Sequence, residues 1–139
     1  MAASPVEVML APLKRIGGFV LACLIDATSG MVLGAVCNDD TASVPVAAAG
    51  AADAVNVLSQ MTARLALQGD LEDVIVTLSS HYHLIRVLPP EPAGQLIVLV
   101  TLERPAANLA MAHREVRESL SAVAGHWFHA PSQDDVSGA

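Results

Sequence analysis

Two short stretches, FVLACLI at 19–25 and QLIVLVTL at 95–102, carry apolar residues on both faces of an extended chain. Successive side chains of a strand point to opposite sides. Phe19, Leu21, Cys23 and Ile25 therefore share one face, and Val20, Ala22 and Leu24 the other. A strand of this kind is stable only where both faces are covered. The chain must hold these strands inside a sheet with helices packed above and below it, and 95–102 reads as a central strand.

The surroundings of the first strand raise a competing reading. Lys14 and Arg15 precede an apolar run, and VLAC ending at Cys23 looks like a bacterial lipoprotein cleavage box. An export h-region needs roughly 7–15 apolar residues, but only 16–21 lie between Arg15 and Ala22, and two of these are glycine. A spanning helix needs about 20 apolar residues, and DATSG at 26–30 breaks the run with turn formers. A β-hairpin with strands at 19–25 and 31–36 fits better. With Ile25 opposite Val32, Cys23 faces Gly34 and Cys37 is three places out of register, so both cysteines are read as thiols.

At 139 residues the chain is one domain's worth. Its apolar content of 53% is mostly Ala, Val and Leu, and only 3% of residues are aromatic, which favours close packing over a stacking surface for bases. A formal charge of −7 disfavours nucleic acid and acidic membrane surfaces. Two cysteines without a disulfide pattern and the lack of an export signal point to the cytoplasm.

Along the chain, Ser4, Pro5 and Glu7 read as a helix start with a capping box. Pro12 should kink or shorten that helix, and Gly17 and Gly18 end it. After the hairpin and a polar NDDTAS loop, 44–68 reads as a long helix closed by Gly69 and Asp70. On its wheel Asp53, Asn56, Gln60 and Arg64 form a polar sector. The opposite arc holds Ala48, Ala51, Ala54, Val55, Leu58, Met61, Leu65 and Ala66. A helix on a sheet needs one stripe, so an arc this wide and small means either deep burial or a second partner. Strands at 71–79 and 82–88 form a tight hairpin through a Ser80-His81 link. Pro89, Pro90 and Pro92 stiffen the next loop. Pro105 opens a final helix with Leu109, Val116 and Leu120 inward and an Arg114–Glu118 pair outward, and 130–139 reads as a disordered tail after a domain spanning 1–129.

Chemistry-bearing motifs are scarce. There is no phosphate-binding glycine loop and no dinucleotide fingerprint. His81 and His83 share a strand face, and His126 and His129 flank Trp127 and Phe128, but neither pair has Cys or carboxylate company at metal-ligand spacing. His113 reads as a hydrogen-bonded histidine at the core edge. Ser79 and Ser80 beside His81 make no triad. Asp39-Asp40 and Glu72-Asp73 read as a solvated loop and a strand start. The expectation is a protein that is not an enzyme and has no cofactor, metal or catalytic residues.

This order of elements resembles the roadblock / dynein light chain family in its bacterial form, over about residues 8–124. The resemblance is carried by GGFVLACLIDATSGMVLGAV, AAAGAADAVNVLSQMTARLAL, LEDVIVTLSSHYHLIRVL and QLIVLVTLERPAANLAMAHREVRESL. It implies an α+β fold: a five-stranded antiparallel sheet with one long helix on one face and the two terminal helices on the other. It implies a homodimer, or a dimer with a paralogue, acting as scaffold, regulator or activating partner of a small Ras-like GTPase. Arg64 and Arg86 are the arginines to consider for presentation to a GTPase, and both read as surface residues. Two other readings remain open: a plain structural adaptor, and a sensory module binding a small ligand between sheet and helix, for which Thr62, Cys23 and Thr101 are the polar groups available.

The strand at 71–79 should lie at the sheet edge, and between Val74 and Leu78 it has no Pro, Lys or Arg to blunt that edge. A two-fold related copy would cover it. The expected dimer interface is Ala51, Ala54, Leu58, Met61 and Leu65 on the long helix with Val74, Val76 and Leu78 on the strand.

Overall fold

In a computed structural model, the structure describes residues 2–38, 43–92 and 94–127, with side chains through 121. Strands β1 (Phe19–Asp26), β2 (Val32–Cys37), β3 (Asp73–Thr77), β4 (His81–Val87) and β5 (Leu96–Glu103) form one antiparallel sheet in the order β2-β1-β5-β4-β3. Both two-faced apolar strands lie inside it, with β5 at the centre and β1 beside it. Helix α2 (Val44–Arg64) covers one face; α1 (Pro5–Leu10) and α3 (Leu109–Trp127) cover the other. Two cores result. Leu21, Cys23, Ile25, Ile85, Ile97 and Leu99 pack under α2. On the opposite face Ala22, Leu24, Val98, Val100 and Leu102 meet Leu10, Leu13, Val116 and Leu120. This is the α+β layering expected.

Local chemistry explains the elements. Ser4 Oγ accepts the Glu7 N–H at 3.2 Å and starts α1. As Pro12 requires, the α-helix stops at Leu10, and Ala11–Arg15 continue as a 3-10 turn that buries Leu13 completely. In the first hairpin Asp26 organises the turn. Its carboxylate accepts the Thr28 N–H and the Ser29 hydroxyl, each at 3.0 Å, and Gly30 takes a φ of +77°.

Five sequence expectations need correction. A register shift between Phe19 and Leu21 breaks the alternation at the start of β1, so Phe19 packs with Ala22 and Leu24, and Val20 on the side of Leu21, Cys23 and Ile25, the reverse of the faces expected. A β-bulge between Leu24 and Ile25 shifts the hairpin register, so Cys23 faces Ala35 rather than Gly34 and Cys37 faces Leu21. The turn between β3 and β4 is Ser79-Ser80, not Ser80-His81, because Leu78 N–H donates to the His81 carbonyl at 2.8 Å. Pro105 lies in a short 3-10 turn, Arg104–Ala106, and α3 begins only at Leu109, where Asn108 Oδ1 accepts the Met111 N–H. The long helix ends at Arg64, well before Gly69, because Ala66 turns left-handed at φ +53°. There the Ala66 N–H reaches the Ala63 carbonyl and the Leu67 N–H the Thr62 carbonyl, the paired bonds of a Schellman stop.

Alanine is an unusual residue for that stop, since an L side chain in this conformation costs about 1–2 kcal/mol. Ala66→Gly should stabilise the fold by about 0.5–1 kcal/mol after the entropy of the unfolded glycine is counted, raising Tm by about 2–5 °C. A thermal melt checks it; a lowered Tm would contradict the geometry. The tail 130–139 and His129 fall outside the described residues, as does the His126 side chain.

Candidate functional site

At about 100° per residue, α2 divides into flanks. Ala48, Ala51, Ala52 and Val55 face the sheet and are buried. On one side, the position of a Gly30 side chain would lie 3.8 Å from Ala49 and 4.0 Å from Ala52, and Asn56 Nδ2 donates to the Ala27 carbonyl at 2.9 Å. That flank belongs to the β1–β2 hairpin. The opposite flank therefore looks towards β4 and β3. It carries Ala54 and Leu58, both half-buried, and Met61, which is 50% exposed. Val57 (64% exposed) continues this stripe outward, and Leu65 (60%) extends it just past the helix end.

Strand β3 is the far edge of the sheet from the hairpin, hydrogen-bonded among the described residues only to β4. Val74 and Val76 stand opposite Ile85 and His83 and share the α2 side of the sheet. Both are half-buried, and Leu78, one residue past the strand's end, is 41% exposed. Parity along β3 follows from its end bonds: Leu78 N–H to the His81 carbonyl and Val87 N–H to the Glu72 carbonyl. The even-numbered residues 72, 74, 76 and 78 thus bond inward to β4. Asp73, Ile75 and Thr77 direct their backbone N–H and C=O groups outward along the sheet edge.

Of the eight expected interface residues, Ala54, Leu58, Met61 and Leu65 lie on this flank of α2 or just past its end, and Val74, Val76 and Leu78 on β3 or just past its end. Ala51 does not, since the sheet already covers it. Sequence reasoning missed Ala52, which is buried, and Val57, which is exposed. The wheel contained both, but Val57 sits close to Asp53 and was hidden inside a sector read as polar. Asn56, placed in the same sector, instead ties α2 to the hairpin.

The polar groups nearby are mutually satisfied. Asp73 Oδ2 accepts from Arg86 Nη1 at 3.1 Å and lies 2.9 Å from His113 Nε2, linking β3, β4 and α3. His113 is therefore the hydrogen-bonded core-edge histidine expected. Arg86 is not a surface arginine, because its side chain is 18% exposed and locked to Asp73. Arg64 remains exposed at the end of α2. Arg104 holds the β3–β4 turn: its Nη1 donates to the Leu78 carbonyl at 2.8 Å, and its guanidinium lies 5.2 Å from the Tyr82 ring centre. His83 Nδ1 meets Thr101 Oγ1 at 2.8 Å, and burial, then the neighbouring His81, lower its pKa. Burial and then the nearby Cys37 push the Cys23 thiol up to about 12, an unreactive state at neutral pH. Among the described residues no group of three or more His, Cys, Asp or Glu side chains is placed to hold a metal ion, and no helix is long and apolar enough to cross a membrane.

No protein-family model matches the chain, and no curated protein matches it by sequence. Solved structures do match it. Myxococcus xanthus MglB superposes with a TM-score of 0.74 at 8% identity, covering 89% of this chain and 98% of that one. A Roadblock/LC7 domain from Streptomyces avermitilis superposes with a TM-score of 0.71 at 21% identity, with the same coverage. A structure described as MglB with tetrameric arrangement gives 0.69 at 16%, covering 89% and 90%. Identities this low speak to fold alone. The likeness takes in 89% of this chain, including its five-stranded antiparallel sheet and its helices, and this chain has the roadblock/LC7 fold.

Proposed function

We propose that the chain is a non-enzymatic scaffold or regulator of a small Ras-like GTPase in the cytoplasm, and that it works as a dimer with a second copy or a paralogue. The observation that carries the self-association is the uncovered apolar flank of α2 beside the unblocked β3 edge. An edge strand with outward backbone groups recruits another strand unless something covers it, and an adjacent apolar stripe supplies the burial such pairing needs. The tetrameric arrangement described for MglB supports association through this fold. The GTPase half rests on the resemblance noted in the sequence, an analogy of fold rather than a property of named residues.

The experiment is affinity capture with the tagged chain from its native lysate, with a GTP analogue or GDP added, followed by identification of retained proteins. A small GTPase should be retained, with a preference for one nucleotide state. Calorimetry on the isolated chain with GTP and GDP should show no stoichiometric heat, since no phosphate-binding loop is present in the sequence. Retention of no GTPase in either state, or micromolar nucleotide binding by the chain itself, would overturn the reading.

A further inference from the structure

A cavity of about 1020 Å³ opens where the last turns of α2 lift away from the sheet. Its other walls are the 67–72 loop, the segment 87–91 after β4, and Leu120 and Ser121 of α3. It is apart from the outward side of β3 and reaches the volume of a ligand pocket. We propose that this cavity binds an organic cation, a ligand with an apolar body and an ammonium or guanidinium head.

The argument is a balance of donors and acceptors. Val55, Leu71, Val87 and Leu88 supply apolar surface for the body of a ligand. Three of the polar side chains around them, Gln95, Asn56 and Thr62, donate to main-chain carbonyls. Gln95 Nε2 donates to the Leu88 and Leu96 carbonyls at 2.6 and 3.0 Å, and Asn56 Nδ2 donates to the Ala27 carbonyl. Carbonyls only accept, so these bonds fix which end of each amide is nitrogen and leave the amide oxygens as acceptors. Thr62 likewise donates its hydroxyl to the Leu58 carbonyl at 2.9 Å. Among the described residues Arg86 is the one cation in the lining, and its charge is engaged by Asp73, outside the cavity wall. Against it the lining sets three carboxylates, Asp70, Glu72 and Glu91. The Ser59 and Ser121 hydroxyls also line the cavity and can donate or accept, but three carboxylates against one engaged guanidinium, with amide and threonine oxygens left as acceptors, disfavour an anion and match a ligand that brings donors and positive charge. Of the polar groups anticipated for a pocket, Thr62 lines this one; Cys23 and Thr101 lie elsewhere on the sheet.

Titration calorimetry on the full chain tests this, using 1,8-diaminooctane and agmatine as cations and octanoate as the apolar anion. At least one cation should bind saturably at one per chain, and octanoate should not. Glu72→Gln and Glu91→Gln should each weaken binding about tenfold, the worth of one charge-assisted contact. Only the main chains of these two residues carry structural hydrogen bonds, to Val87 and Gly94, so both variants should melt like the parent. Ala63→Trp, filling the cavity from an exposed position of α2, should abolish binding irrespective of charge. Equal binding of octanoate, no saturable cation binding, or indifference to all three substitutions would overturn the proposal. So would binding of a Lys/Arg-rich peptide when both small cations fail, which would make the cavity a protein-docking groove. The titration contains no GTPase, so its outcome is separate from that of the capture experiment.

Discussion

Ile75→Pro and Met61→Glu should each convert a particle of twice 14.4 kDa into single chains at tens of micromolar, read by light scattering coupled to gel filtration. The two substitutions attack different halves of the proposed contact and spare the isolated fold. Because the even-numbered residues of β3 bond to β4, proline at Val76 would break the sheet inside one chain and so could not report cleanly on association. Ile75 points its N–H out along the edge instead. Proline there removes a donor that only a second strand would use, and edge strands tolerate proline when that N–H faces solvent. Met61 is already 50% exposed in one chain, so a glutamate costs the monomer little. In a paired-helix contact the same glutamate is an unpaired charge removed from water, worth about 3 kcal/mol or more, over a hundredfold in Kd. Leu58→Glu is a weaker test, because Leu58 is half-buried in the single chain. A wild-type mass of one chain, or a dimer that survives both changes, would move the interface away from this surface.

Much of this surface was readable in the sequence, for identifiable reasons. A strand apolar on both faces has one stable place, and β1 and β5 took it. The edge position of β3 followed from element order, and its lack of blunting residues is a property of composition. What the sequence did not disclose were effects that depend on one residue's backbone. Ala66 stops α2 from a left-handed conformation that alanine rarely adopts, so the glycine at 69 looked like the terminator. The bulge at Leu24/Ile25 moved Cys23 from Gly34 to Ala35, and nothing in the alternation of the strand marks it. Ala51 and Ala52 have similar chemistry, and only contact with the sheet shows that both are spent in the core. The acceptor-rich cavity was illegible for a related reason. Asn56 and Gln95 become acceptors towards it only because their amide donors meet particular carbonyls, Ala27 on one side and Leu88 and Leu96 on the other.

Gly18→Ala should be the most damaging small substitution in the described chain, lowering stability by about 3 kcal/mol or more. Gly18 was readable as a helix terminator, but the structure gives it a second task. It sits at φ +83° where the chain enters β1, and its carbonyl accepts the Glu103 N–H at 2.7 Å. The backbone strain alone costs an alanine about 1–2 kcal/mol. A β-carbon would also meet the Glu103 carbonyl oxygen at 2.5 Å and the Ala107 side chain at 3.3 Å. The oxygen is part of the main chain at the end of β5 and cannot rotate away as a side chain would. Relief therefore requires separating the ends of β1 and β5, the two strands on which both cores are built. That pushes the total well beyond the strain term and predicts a fall in Tm of about 10 °C or more. Thermal melts of the variant and parent decide it. A loss of under about 2 °C would mean that β1 enters the sheet by a different path, and the register of Phe19 against Leu102 would have to be redrawn.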